Sequence, residues 1–246
     1  MAILKLTCSI SNEMTVKEIM TELEGYGDVS TKNTLMRHGA KEPFFGVKVA
    51  DLKKVLKKTK KNHELSLELY STGNSDAMYL AGLMADEKRI SEAQLQSWIE
   101  DAYWYYLSEF AVPWVAAETP FGFDLGLKWI ESKEEGNACG GWATLSNYAS
   151  VNTELDIEIY AQLLDRVEKQ VHAERNRVRH TMNAFVIAIA AYIPELTNKA
   201  KIVAKNIGAV KVDMNGTACK VPLATEYIAK IEQRGSIGKK RKSARC

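Results

Sequence analysis

Along most of the chain, apolar positions recur every three or four residues, the spacing that places one stripe on an α-helix. From 47 to 61 the stripe is Val49, Leu52, Val55 and Leu56. Lys53, Lys54, Lys57, Lys58, Lys60 and Lys61 fall opposite, so this helix is expected to have a core face and a lysine face. Start signals punctuate the pattern. Thr15, with Glu18 three residues on, has the reciprocal form in which each side chain satisfies a free amide of the first turn. That helix is expected to run to about Glu24, where Gly25 and Gly27 stop it. Ser75, Ser91 with Gln94, Thr119 with Pro120 at the first helical position, and Thr153 ahead of a run to Gln170 predict further starts. Residues 211–221 alone have strand character. Asn215-Gly216 suits a tight turn and Pro222 opposes a long ladder, so a loop or small hairpin is expected there.

Consecutive helices joined by short turns, with no alternating strand, predict an all-α chain of helix pairs stacked into a solenoid. No exact sequence period accompanies that rhythm, which leaves a helical bundle as the competing architecture. A chain of 246 residues can bury a full core, and one domain over 1–246 is expected, with a basic tail over 235–246.

Charge changes the picture more than composition does. The formal net charge of +2 hides a segregation: acids gather at Asp86-Glu87, at Glu131 to Glu135 and at Glu154 to Glu158, away from the lysine face. Five of the last eight residues are basic (Lys239, Lys240, Arg241, Lys242 and Arg245), with no acid among them. Such a tail predicts a polyanionic partner. Lys53, Lys57, Lys58, Arg177, Arg179, Lys239, Lys240, Arg241 and Lys242 are the residues expected to meet phosphates, with affinity falling steeply as salt rises. An ordinary soluble face is the alternative for the lysine helix. Arg177, Arg179 and His180 open a strongly apolar helix, where cations oppose the macrodipole; this calls for acidic neighbours or a bound phosphate.

Cys8, Cys139, Cys219 and Cys246 lie too far apart for a zinc knuckle or redox pair, and a reducing cytoplasm is the expected setting. Lys5 interrupts Ile3-Leu4 before a signal-peptide core can form. The apolar run Ala184 to Ile193 is about half of the ~20 residues a spanning helix needs, so no membrane association is expected. His38, His63, His172 and His180 have no ligand spacing. With no Gly-rich phosphate loop and no Ser-His-Asp order, neither metal nor cofactor is expected, and the chain is read as a monomer.

Four separated blocks occur in order: Phe44-Phe45-Gly46-Val47-Lys48, Gly141-Trp142-Ala143-Thr144-Leu145, Asn176-Arg177-Val178-Arg179-His180-Thr181-Met182-Asn183, and the segment from Val212-Asp213-Met214-Asn215-Gly216 to the basic tail. Together they resemble the DNA alkylation repair family over residues from about 40 onward. The resemblance implies a superhelix of HEAT-like repeats with a basic surface for duplex DNA, in a family that includes glycosylases removing purines alkylated at N3 or N7. Active members of that family carry a Trp and an Asp four residues later on one helix face. The matching stretch here is Tyr105-Tyr106-Leu107-Ser108-Glu109, which places Tyr105 and Glu109 at those positions. The family's second Trp has no counterpart on the helix containing Ala184 to Tyr192, and its site Arg has none near Gly141-Trp142.

On that reading the partner is alkylated double-stranded DNA. Glu109 is the candidate catalytic carboxylate, placed to stabilise positive charge developing on the sugar. Tyr105, Trp104 and Trp142 are candidate aromatic faces for a cationic alkylated base, an attraction of about 0.5–2 kcal/mol. The alternatives are a surface acid or a partner for a nearby Lys or Arg for Glu109, and core packing for the Trp residues. A non-catalytic helical-repeat module that binds nucleic acid or a protein is the competing function.

Overall fold

The reciprocal cap expected at Thr15 forms. Its hydroxyl accepts from the Glu18 amide at 3.2 Å, and the Glu18 carboxylate accepts from the Thr15 amide at 2.7 Å. It opens α1 (Val16–Gly25) of a computed structural model that describes residues 14–245. Lys5, Cys8 and Cys246 lie outside the described residues. After α1 come α2 (Val29–Arg37), α3 (Val49–Thr59), α4 (His63–Ser71), α5 (Ser75–Met84) and α6 (Glu92–Asp101). A π-helical turn, Tyr106–Ala111, leads into α7 (Val112–Ala117) and α8 (Gly122–Trp129). The remainder is α9 (Glu135–Val151), α10 (Ile157–Gln170), α11 (Asn176–Tyr192), α12 (Thr197–Ile207) and α13 (Ala224–Gln233). No strand occurs among the described residues.

Odd-numbered helices pack in succession, α1 on α3, α3 on α5, α5 on α7, α7 on α9, α9 on α11 and α11 on α13. Against that layer lie α4 on α5, α8 on α9 and α12 on α11. This is the helix-pair stacking of a HEAT-like solenoid, in which each pair buries its apolar stripe against its neighbours. The lysine helix behaves as its pattern predicts: Leu52 and Val55 are buried, while Lys54, Lys57 and Lys58 are exposed.

The Gly140-Gly141-Trp142 segment explains why α9 can sit at the centre. A methyl group at Gly141 would lie 2.5 Å from the Ile130 amide nitrogen, and one at Gly140 would lie 2.5 Å from Ile99 Cδ1 and 3.0 Å from the Ser108 carbonyl. Only hydrogen fits at both places. α9 therefore seats directly on α8 and on the π turn.

Three expected starts shift. Asn74 caps α5, Asp156 rather than Thr153 caps α10 by accepting from the Ile159 amide at 3.0 Å, and α8 begins at Gly122. Thr119 instead closes the preceding turn, donating to the Ala116 carbonyl at 2.8 Å. The 211–222 segment is a loop. Asn215 and Gly216 take left-handed φ values of 56° and 68°, and the Thr217 amide closes the turn on the Met214 carbonyl at 3.1 Å. Side chains of α11, rather than a partner strand, bind the limbs: Asn176 exchanges two hydrogen bonds with the Asp213 backbone at 2.7 and 2.9 Å, and Asn183 donates to the Pro222 carbonyl at 2.9 Å.

Candidate nucleic-acid interface

The π turn has a local cause. In an α-helical ladder the carbonyl of Glu109 would receive the amide of residue 113, and Pro113 has none to give. A wider turn moves that carbonyl's ladder partner one residue on, an arrangement that recurs at functional sites. Trp104 anchors its start, with its indole donating to the Ser75 hydroxyl at 2.5 Å and its ring stacked on Tyr106 at 4.4 Å.

Within this turn Glu109 is buried, with 5% of its surface exposed. Arg177, from the first turn of α11, meets it with two parallel hydrogen bonds, Nε to Oε1 at 2.8 Å and Nη2 to Oε2 at 2.6 Å. The same guanidinium lies over the Tyr105 ring, 4.5 Å from its centroid. His180 Nδ1 stands 3.6 Å from Glu109 Oε2, and the Arg177 amide donates to Glu135 at 2.7 Å. Burial works to discharge Arg177, but its hydrogen bonds to Glu109 prevail and its pKa is raised above the usual value. Burial also pushes the Tyr105 phenol up to about 12 and lifts the Cys139 thiol well above its ordinary range.

Tyr105, Glu109, Glu135, Cys139 and Arg177 wall a cavity of about 570 Å³ between the π turn and the start of α9. Glu100, Glu109, Glu134 and Glu135 line it against Lys41 and Arg177, so acids outnumber bases there. Such a cavity favours a cationic or neutral occupant over a phosphate.

The structure gathers some of the sequence candidates and separates others. Glu109, Tyr105, Trp104 and Arg177 share the cavity wall. Trp142, expected as an aromatic face for substrate, is instead core: it is 1% exposed and packs edge-on against Phe185 at 5.0 Å. The close seating of α9 turns it inward. Arg177, expected on phosphate, is held by Glu109, the acidic neighbour that its place at a helix N-terminus called for. Lys58 pairs with Glu22 at 2.6 Å, whereas Lys53 and Lys57 make no ion pair among the described residues. Arg179 contributes Nη2 to Asn176 Oδ1 at 3.4 Å and leaves its buried Nε without a partner.

The basic tail is not a free polycation. Lys240 donates to the carbonyls of Ala149 and Tyr192 at 2.7 and 2.9 Å, at the ends of α9 and α11. Arg245 donates to the Ala85 carbonyl at 2.6 Å, just past α5, and pairs with Glu87 and Glu118 at 3.0 Å each. The Ser243 hydroxyl and the Ala244 amide also donate to Glu118, which caps α7. Unpaired carbonyls at helix ends attract cations, and the tail runs where four such ends meet. Lys240, expected on phosphate, is corrected to a cross-brace. Lys239, Arg241 and Lys242 remain exposed.

No arginine stands beside Gly141-Trp142 in the chain; the arginine that pairs with Glu109 is Arg177 of α11, and the sequence signal for it is a cation at the positive end of an apolar helix.

An all-helical HEAT-like stack with an Arg-paired carboxylate beside an aromatic ring defines the class to which this chain belongs. Residues 19–210 match the family described as DNA alkylation repair enzyme, and the protein is a member of that family. It is 32% identical over 228 residues to an uncharacterised protein of Listeria innocua and, to the same extent, to one of Listeria monocytogenes; each match covers 90% of this chain and 99% of the relative. A solved structure superposes with a TM-score of 0.86 at 36% identity, covering 95% of this chain and all of that one. That structure is described as belonging to a new family related to the HEAT-like repeat DNA glycosylases with affinity for branched DNA structures. No helix among the described residues is long and apolar enough to cross a membrane.

Proposed function

We propose that this protein binds DNA by the shape and charge of its backbone, with branched DNA as the preferred form, and that its Glu109 centre does not excise bases in the arrangement seen. The observation that carries this is the placement of one guanidinium on both Glu109 and the Tyr105 face. An alkylated purine is a cation needing that aromatic face, and its departure leaves a sugar cation needing that carboxylate. Arg177 already occupies both. Moving it aside would strand a buried carboxylate, at a cost of about 3–5 kcal/mol. The solved relative's described affinity for branched DNA supports the choice of ligand. The test measures binding to a four-way junction and to a duplex of equal length, beside release of 3- or 7-methylpurine from methylated DNA. Tighter junction binding without release is expected; equal binding to both forms removes the preference for branches.

A second reading, excision of N3- or N7-alkylated purines from duplex DNA, has its own support in the 570 Å³ acid-lined cavity beside Glu109. It requires Arg177 to leave Glu109 when substrate enters. Base release by the parent protein, lost in Glu109→Gln, would establish this reading in place of the first.

A further inference from the structure

Beyond the carboxylate cavity, a separate cleft of about 510 Å³ opens between α11 and the two limbs of the loop around Asn215-Gly216. Lys211 stands on the outgoing limb and Lys220 on the returning one, both exposed, and Arg179 of α11 lines the same cleft. Among the described residues none of the three makes an ion pair. The single acid in the lining is Asp213, whose Oδ1 accepts the Asn215 amide at 2.9 Å. Three cations therefore face one carboxylate, a balance opposite to that of the Glu109 cavity.

Arg179 shows what is missing. Its Nε is buried without a hydrogen-bond partner, while Nη2 rests on Asn176 Oδ1 at a long 3.4 Å. A buried N–H left unmade is costly, and a guanidinium in the cleft wall can donate through its Nη groups to the oxygens of one phosphate. Asn176 fixes the geometry, because the same Oδ1 accepts the Asp213 amide at 2.7 Å and ties the loop to the helix. Val210, Val212 and Val221 line the remainder, an apolar surface suited to the carbon face of a sugar.

We infer that this cleft is a phosphodiester site: Arg179, Lys211 and Lys220 seat one backbone phosphate of DNA, and the three valines pack against the adjoining sugar. The inference rests on the DNA-binding reading above and assigns part of that contact to a place distinct from the Glu109 cavity.

The test is fluorescence anisotropy with a junction and a duplex over a salt series. The triple variant Arg179→Gln, Lys211→Ala, Lys220→Ala should bind both DNAs about tenfold more weakly, with a log–log salt slope shallower by about one. A matched control, Lys128→Ala, Lys169→Ala, Lys205→Ala, removes the same charge from α8, α10 and α12 and should change affinity by roughly twofold at most. If Arg179→Gln lowers the melting temperature, the Lys211→Ala, Lys220→Ala pair, confined to exposed loop side chains, should still give a loss of about threefold.

Parent-like affinity and slope in the triple variant, or an equal loss in the control, overturns the cleft while leaving DNA binding intact. A parent protein with no DNA affinity at low salt overturns both readings. In that case inorganic phosphate, followed by the NMR shift of the Arg179 Nε–H, separates a cleft for another phosphate from no anion site at all.

Discussion

The two ends of the odd-numbered helix layer use their cations differently. At the N-terminal ends of α9 and α11, Arg177 neutralises a buried carboxylate and covers an aromatic ring. At the opposite ends Lys240 and Arg245 meet backbone carbonyls left open where α5, α9 and α11 stop. Both sets are engaged within the protein, but by different partners. The first is held by a side-chain charge against the helix dipole, the second by helix-end carbonyls along the dipole, joined at Arg245 by the carboxylates of Glu87 and Glu118. A dense run of basic residues is thus a poor guide to which charges are free for DNA. Arg179, two residues from Arg177, keeps a donor, Nε, with no hydrogen-bond partner among the described residues.

The largest effect that could break this contrast is Arg177→Met. It leaves Glu109 buried and unpaired and should cost about 3–5 kcal/mol, a fall of roughly 10 °C in Tm for a chain of this size. Adding Glu109→Leu should recover most of the loss, since an apolar pair replaces a buried ion pair well. A double variant as unstable as the single one would show that packing, not charge, dominates at that end.

Next in size is Arg245→Ala at the other end, which frees the Ala85 carbonyl and two carboxylates and should cost about 2–3 kcal/mol. Thermal melts check it, and DNA affinity well below Tm should stay unchanged. Lys240→Met should cost about 1–2 kcal/mol and leave the salt slope of DNA binding as it was, whereas Lys239→Met should leave stability unchanged. A lowered slope for Lys240→Met would return the tail to the DNA-binding surface.

The smallest effect sharpens the Arg177 end alone. Burial raises the Tyr105 phenol from 10.0 to about 12, so the folded state holds this proton more tightly than the unfolded chain does. The stability it contributes is complete below pH 10 and is lost as pH rises from there to about 12. A difference absorbance titration of the parent against Tyr105→Phe should place the missing phenol near 12; a midpoint near 10 would mean that the ring is solvated.

Much of the architecture was legible from local chemistry. The caps at Thr15 and Ser91, the core and lysine faces of α3, and the turn at Asn215-Gly216 depend on neighbours within a few residues, and all formed. Thr119 and Thr153 misled because their hydroxyls suit a cap and a turn equally, and only the surrounding packing chose. Glu109 and Tyr105 are singled out by the resemblance to the DNA alkylation repair family, and Pro113 converts that stretch into a π turn.

The sequence by itself determined where helices form, which stripe each one buries, and that Arg177 at the head of an apolar helix needed an anion close by. Tertiary structure alone decided which anion that was, because Glu109 lies 68 positions away in the chain. It likewise decided that Trp142 is core and that Lys240 bridges two helix ends. Helical periodicity is a property of neighbouring residues; the destination of a charge depends on which distant helix ends and carboxylates the stacked pairs bring against it.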